Sequence, residues 1–113
     1  EDGFDRNFFW KNHLHMQSEA PQSLTPDLME VVIRNIFRAN SLFVIPSIQD
    51  YLALSSAWTP KDPGDERVNT PGTVGPHNWA YKLPCSLEEL EANTALSAKI
   101  AKITDERARR SLR

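Results

Sequence analysis

Few side chains in this sequence can move protons, attack carbon or hold a metal: three histidines, one cysteine and scattered carboxylates. His13 and His15 stand two apart in HLH, which points them to different sides of a helix. Helical metal ligands stand four apart, so both read as surface or packing histidines and no metal site is expected. Cys85 comes just before a helix-capping serine, a setting that lowers a thiol pKa. No base adjoins it in sequence, and it reads as a small buried residue. Asp62 with Asp65, and Glu88 with Glu89, are paired acids in linker and helix-cap settings, where solvation or capping accounts for them. Gly64, Gly72 and Gly75 match no glycine-rich phosphate cradle. No catalytic residue and no cofactor are expected within the chain.

Binding chemistry is better represented. The stretch RVNTPGTVGPHNW, residues 67–79, places two asparagines and a tryptophan among prolines and glycines that exclude a helix or a central strand. Asn69 and Asn78 offer paired donors and acceptors, and Trp79 offers a flat apolar face. Sugars need both, since their hydroxyls take bidentate partners and their C–H faces stack on aromatics. His77 is either a polar ligand contact or loop filler. Upstream, Gln49 and Asp50 follow an apolar run directly. Asp50 has a structural role in this reading, capping a helix or pairing with an arginine such as Arg67.

The elements that would position these groups are α/β in character. Phe4 to Leu14 spaces four aromatics for an amphipathic helix over 4–14 that buries several of them at once. Thr25, Pro26 and Asp27 open a second helix, 26–39, with Leu28, Val31, Val32, Ile36 and Phe37 as its apolar stripe. Leu42 to Ile45, ended by Pro46, is an unbroken apolar run that predicts a strand over 42–46 buried on both faces, the habit of parallel sheets. Residues 55–79 form a long loop, and loops of that length are functional or disordered. Ser86 with Glu89 is a capping box that predicts a helix over 86–92, and Thr94 opens another over 94–109 with Leu96, Ile100 and Ile103 inward.

The totals limit the alternatives. The 113 residues suit one domain or part of one, with 40% apolar and 25% charged residues, as in ordinary globular proteins. A net charge of -2 gives no case for nucleic acid or an anionic membrane as partner. No apolar run approaches the ~20 residues of a membrane span. One cysteine excludes an internal disulfide and fits a reducing, cytoplasmic location. A lone parallel strand needs neighbours for its backbone groups. Together with the absence of an initiator methionine, this leads to the expectation of a piece of a longer gene product.

SLFVIPSIQDYLAL, RVNTPGTVGPHNWAYKLP and SLEEL, in that order, resemble the C-terminal end of the 4-α-glucanotransferases of glycoside hydrolase family 77, the group of amylomaltase and the disproportionating enzymes. The likeness runs from about Ser41 to Leu90, and more loosely to both ends. The polar spacer over 55–65 is longer than in short-loop members. The resemblance implies the C-terminal portion of a (β/α)8 barrel, with 42–46 as its last strand and the preceding helix on the outer ring. It also implies retaining transfer of α-1,4-glucan segments of maltooligosaccharide, starch or glycogen, through a covalent glycosyl-enzyme intermediate. The family's three catalytic carboxylates come from earlier strands, the third in a His-Asp pair. This chain has no such pair: its histidines precede Leu14, Met16 and Asn78. The resemblance gives the substrate-contacting role to Asn69, with Pro71 and Gly72 holding the turn that presents it. Arg67 becomes an orienting partner, and Asn78 and Trp79 lock the loop to the barrel.

The isolated chain is therefore expected to be inactive, to need the remainder of the barrel as its partner, and to self-associate or partly unfold because strand edges and aromatics are exposed. The competing reading is a free-standing carbohydrate-binding or protein-interaction module without catalysis.

Overall fold

Each helix opens on a side chain that answers its free amides. The computed structural model describes residues 5–111. Within them α1 spans Arg6–Asn12, α2 Pro26–Phe37, α3 Ile48–Leu52, α4 Leu87–Ala92 and α5 Thr94–Ser111, with 3-10 turns at Ser56–Trp58 and Pro63–Glu66. The first residues of the expected 4–14 helix, with Phe4, lie outside this range. Asp5 accepts from the Phe8 N–H of α1, Thr25 from Leu28 of α2, and Asn93 from Leu96 of α5. Ser47 with Asp50, and Ser86 with Glu89, form reciprocal capping boxes on α3 and α4.

The core lies between α2 and α5. Met29, Ile33 and Phe37 recur every four residues along α2 and meet Leu96 and Ile103 of α5, with Leu52 and Leu54 closing the cluster. Ile33 and Leu52 are the most completely buried large side chains. The stripe expected on α2 is therefore displaced. Ile36 is exposed, and Leu28 and Val32 face a cleft beside Trp10 and Leu14 instead. With apolar residues on two sides of α2, periodicity alone does not select the side that meets α5. On α1 only Trp10 is buried. Phe8 is exposed and its ring meets His13 edge-on, so this helix does not bury several aromatics at once.

The strand expected over 42–46 is not formed; among the described residues there is no strand at all. Leu42, Phe43 and Ile45 are 87%, 73% and 88% exposed, and only Val44 turns in against the core. The cause is the absence of partners. An extended segment gains nothing from leaving water unless a neighbouring strand takes up its N–H and C=O groups.

Polar contacts tie α5 to α2 across a long sequence distance. Arg107 donates to the carbonyls of Phe37, Ala39 and Ser41, which stand beyond the reach of α2's own amides. Arg34 binds Glu30 one turn away and Glu106 on α5, while Lys99 approaches Glu30 at 3.7 Å. The Glu30 carboxyl is held below its ordinary 4.5, chiefly by the Arg34 hydrogen bond; burial opposes this, and Lys99 adds to it. A carboxyl lowered in the folded state contributes stability that is complete above its unfolded value and lost as pH falls through the folded one. Glu30→Gln is therefore expected to lower the urea midpoint at pH 7 and to leave it unchanged where Glu30 is protonated, well below pH 4.5. Urea midpoints for both proteins from pH 7 down to pH 3 read this directly; curves that stay parallel throughout would exclude the pair as a contributor.

Candidate functional site

Residues 67–79 form a closed loop built from two successive turns. Thr70-Pro71-Gly72-Thr73 carries the Thr73 N–H to Thr70 C=O bond at 3.2 Å, with Gly72 at φ 78°. Proline then positive-φ glycine at the two central positions is the pattern of a type II turn. A Cβ at Gly72 would meet nothing within 4 Å, so backbone conformation, rather than space, requires glycine there. The second turn, Gly75-Pro76-His77-Asn78, is closed by the Asn78 N–H to Gly75 C=O bond at 3.2 Å. A Cβ on Gly75 would stand 2.7 Å from the ring of the exposed His77, which would have to swing aside.

Asn78 fastens the two turns together. Its Oδ1 accepts from the Thr70 N–H at 2.7 Å, and its Nδ2 donates to the Thr73 carbonyl at 3.0 Å and hydroxyl at 3.2 Å. The Thr73 hydroxyl in turn donates to the Thr70 carbonyl at 2.7 Å. The Trp79 N–H then closes the loop on the Val68 carbonyl at 2.7 Å. Trp79 takes φ 61°, a left-handed conformation costly for a residue with a Cβ, and its side chain is 77% exposed. Its backbone thus locks the loop while its indole is presented to solvent.

Asn69 lies between two of these anchors. Val68 is fixed by Trp79 and Thr70 by Asn78, while the Asn69 side chain is exposed and hydrogen-bonds to nothing among the described residues. Its backbone position is set from both sides, and its amide stays available. Such an arrangement lowers the ordering cost of a polar contact to a ligand.

Gln49 and Asp50 serve other ends. Asp50 completes the Ser47 capping box, its carboxylate accepting from the Ser47 N–H and hydroxyl at 2.8 Å each. Arg67 forms no ion pair with it; the described ion pairs lie elsewhere. Gln49 donates to the Glu66 carbonyl at 2.5 Å, joining α3 to the start of the loop. Burial, with the charges of Glu66 and Cys85, pushes the Tyr81 hydroxyl above its ordinary value, and the neighbouring Gln49 amide opposes this. Beside these groups a cleft of about 290 Å³ opens between Trp58, Asp65, Glu66, Tyr81 and Lys82.

The resemblance has Asn78 locking the loop to the barrel, whereas its side-chain bonds hold the loop to itself, at Thr70 and Thr73. Its partners stand eight and five residues back across two turns, and no spacing rule announces them. No group of three or more potential metal ligands occurs among the described residues. No helix there is long and apolar enough to cross a membrane.

Residues 2–88 match the model of glycoside hydrolase family 77, described as 4-alpha-glucanotransferase. A 4-alpha-glucanotransferase of Chlamydia caviae is 39% identical over 83 residues, covering 70% of this chain and 16% of that protein. One from Oryza sativa subsp. japonica is 29% identical over 103 residues, covering 91% of the chain and 11% of the relative. One from Chlamydia muridarum is 35% identical over 72 residues, 64% of the chain and 14% of the relative. The chain thus spans between about a tenth and a sixth of the length of these relatives. No solved structure matches.

Proposed function

The chain belongs to glycoside hydrolase family 77, and on that premise we propose that it forms a substrate-holding part of a 4-alpha-glucanotransferase, with Asn69 as the residue that contacts the glucan. The observation that carries this reading is the loop geometry: Asn69 is fixed through Val68 and Thr70 while its own amide stays open. An amide so held donates to one sugar hydroxyl and accepts from another without being ordered on binding. The Trp79 indole, on the closing residue of the same loop, offers a stacking face to the ring's C–H groups.

Retaining transfer needs a nucleophilic carboxylate and a carboxylic acid/base about 5–5.5 Å apart on either side of the scissile bond. Seven of the described carboxylates are committed to structure. Asp5, Asp50, Asp62 and Glu89 cap or brace turns and helices, and Glu30, Asp105 and Glu106 sit in ion pairs. With no His-Asp pair in the sequence, the reading takes the bond-breaking groups from the remainder of a (β/α)8 barrel. The exposure of Leu42, Phe43 and Ile45 supports this assignment, because an added strand on each side would cover them and take up their backbone groups. Without such neighbours the same segment provides the surface for self-association.

The chain expressed alone is expected to release no glucose from maltotriose. Glucose above a buffer blank would place the acid/base pair within these residues. The module reading separates from this one by binding: a chain that holds maltooligosaccharide alone, as a sharp monomer with a cooperative melt, would be a complete domain.

A further inference from the structure

Two clefts meet where the C-terminal ends of α2 and α5 approach each other. One, of about 350 Å³, is walled by Arg34, Arg38, Arg107, Arg109, Arg110 and Glu106. The other, of about 480 Å³, shares Arg38, Arg107 and Arg110 and continues past Ser41. Phe37 and Ile103 form the apolar floor of the first.

The guanidiniums are not equally occupied. Arg34 is answered by Glu30 and Glu106, Arg109 by Asp105, and Arg107 donates to the carbonyls beyond α2. The side chains of Arg38 and Arg110 have no ion-pair or hydrogen-bond partner among the described residues. Arginines near helix C-termini commonly just answer the dipole, which amounts to about half a charge per helix. Two whole charges exceed what two helix ends supply, and Arg107 already covers the carbonyls beyond α2. The surplus positive field lies in a concavity, where it is focused, and the guanidinium fork fits two oxygens of a phosphate at once.

We propose that the cleft between the C-terminal ends of α2 and α5 binds a phosphomonoester dianion, with Arg38 and Arg110 as its ligands. Its size fits a small anion or a hexose phosphate. Neither cleft is lined by any residue of the 67–79 loop, so the proposal does not depend on the loop's assignment.

Calorimetric titration of the full chain with inorganic phosphate, and separately with glucose 6-phosphate, at ionic strength fixed with chloride, tests this. Saturable binding is expected, with the Kd raised about tenfold or more in R38Q/R110Q, since each lost charge-assisted hydrogen bond is worth about that factor. The control K11Q/K61Q removes the same charge elsewhere and should bind as the parent does. Equal affinity for the two ligands would mean the dianion alone is read; tighter hexose phosphate would add a sugar contact on the floor. No saturable binding, binding retained in R38Q/R110Q, or an equal loss in K11Q/K61Q would overturn the proposal.

Discussion

Asn69→Ala in the complete enzyme is expected to lower kcat/KM for maltotriose disproportionation by about tenfold to a hundredfold, with the melting temperature unchanged. The magnitude follows from two amide–hydroxyl hydrogen bonds at about 0.7–1.4 kcal/mol each, where 1.4 kcal/mol is a factor of ten. The separation of activity from stability follows from the geometry. The Asn69 side chain is exposed and bonds to no described residue, so its removal leaves no buried partner unsatisfied. Asn69→Asp adds a further reading, because it keeps the acceptor and removes the donor. If both bonds form, it should fall between the parent and Asn69→Ala. Unchanged kinetics in Asn69→Ala would remove this residue from the site.

Asn78→Ala should act on the same substrate through a different route. It strips the Thr70 N–H and the Thr73 carbonyl of partners they reach at 2.7 and 3.0 Å. Leaving such groups unpaired costs about 1–3 kcal/mol, less as water reaches them. The cost falls on the loop rather than the helical core, since every one of these bonds lies within residues 68–79. Amide exchange at Thr70 should accelerate about tenfold or more, and the maltotriose KM should rise as Asn69 loses its fixed position. Asn69→Ala would leave Thr70 exchange untouched. Exchange unchanged in Asn78→Ala would mean that the amide does not hold the turns together.

Sequence and structure agree where the determinant is local. Thr25-Pro26-Asp27 announces the start of α2, and Ser86 with Glu89 announces α4, because a cap and its helix lie within one turn. Proline then glycine at 71–72 announces a tight turn for the same reason. Legibility fails where the determinant is distant. Arg107 reaches the Phe37 carbonyl across 70 positions, and only the packing of α5 on α2 brings the two together. The Met29–Ile33–Phe37 face meets α5 because a partner helix lies on that side, a fact absent from α2's own periodicity.

The run LFVI illustrates the same limit from the other direction. Its composition carries a strand propensity, but a strand is a relation between segments, and no described segment pairs with it. Asp50 shows why its role stayed open. Capping a helix and pairing with Arg67 both satisfy a carboxylate, and Ser47 three residues before it decides for the cap. In the loop, punctuation marked the turns, while the cross-link through Asn78 and the left-handed Trp79 emerge only in three dimensions.

A crystal structure of the complete enzyme with a bound maltooligosaccharide tests the central claim most directly. The Asn69 amide should stand about 3 Å from sugar hydroxyls, with the Asn78 bonds to Thr70 and Thr73 intact beneath it. A glucan that fills the active site and makes no polar contact with Asn69 would contradict it.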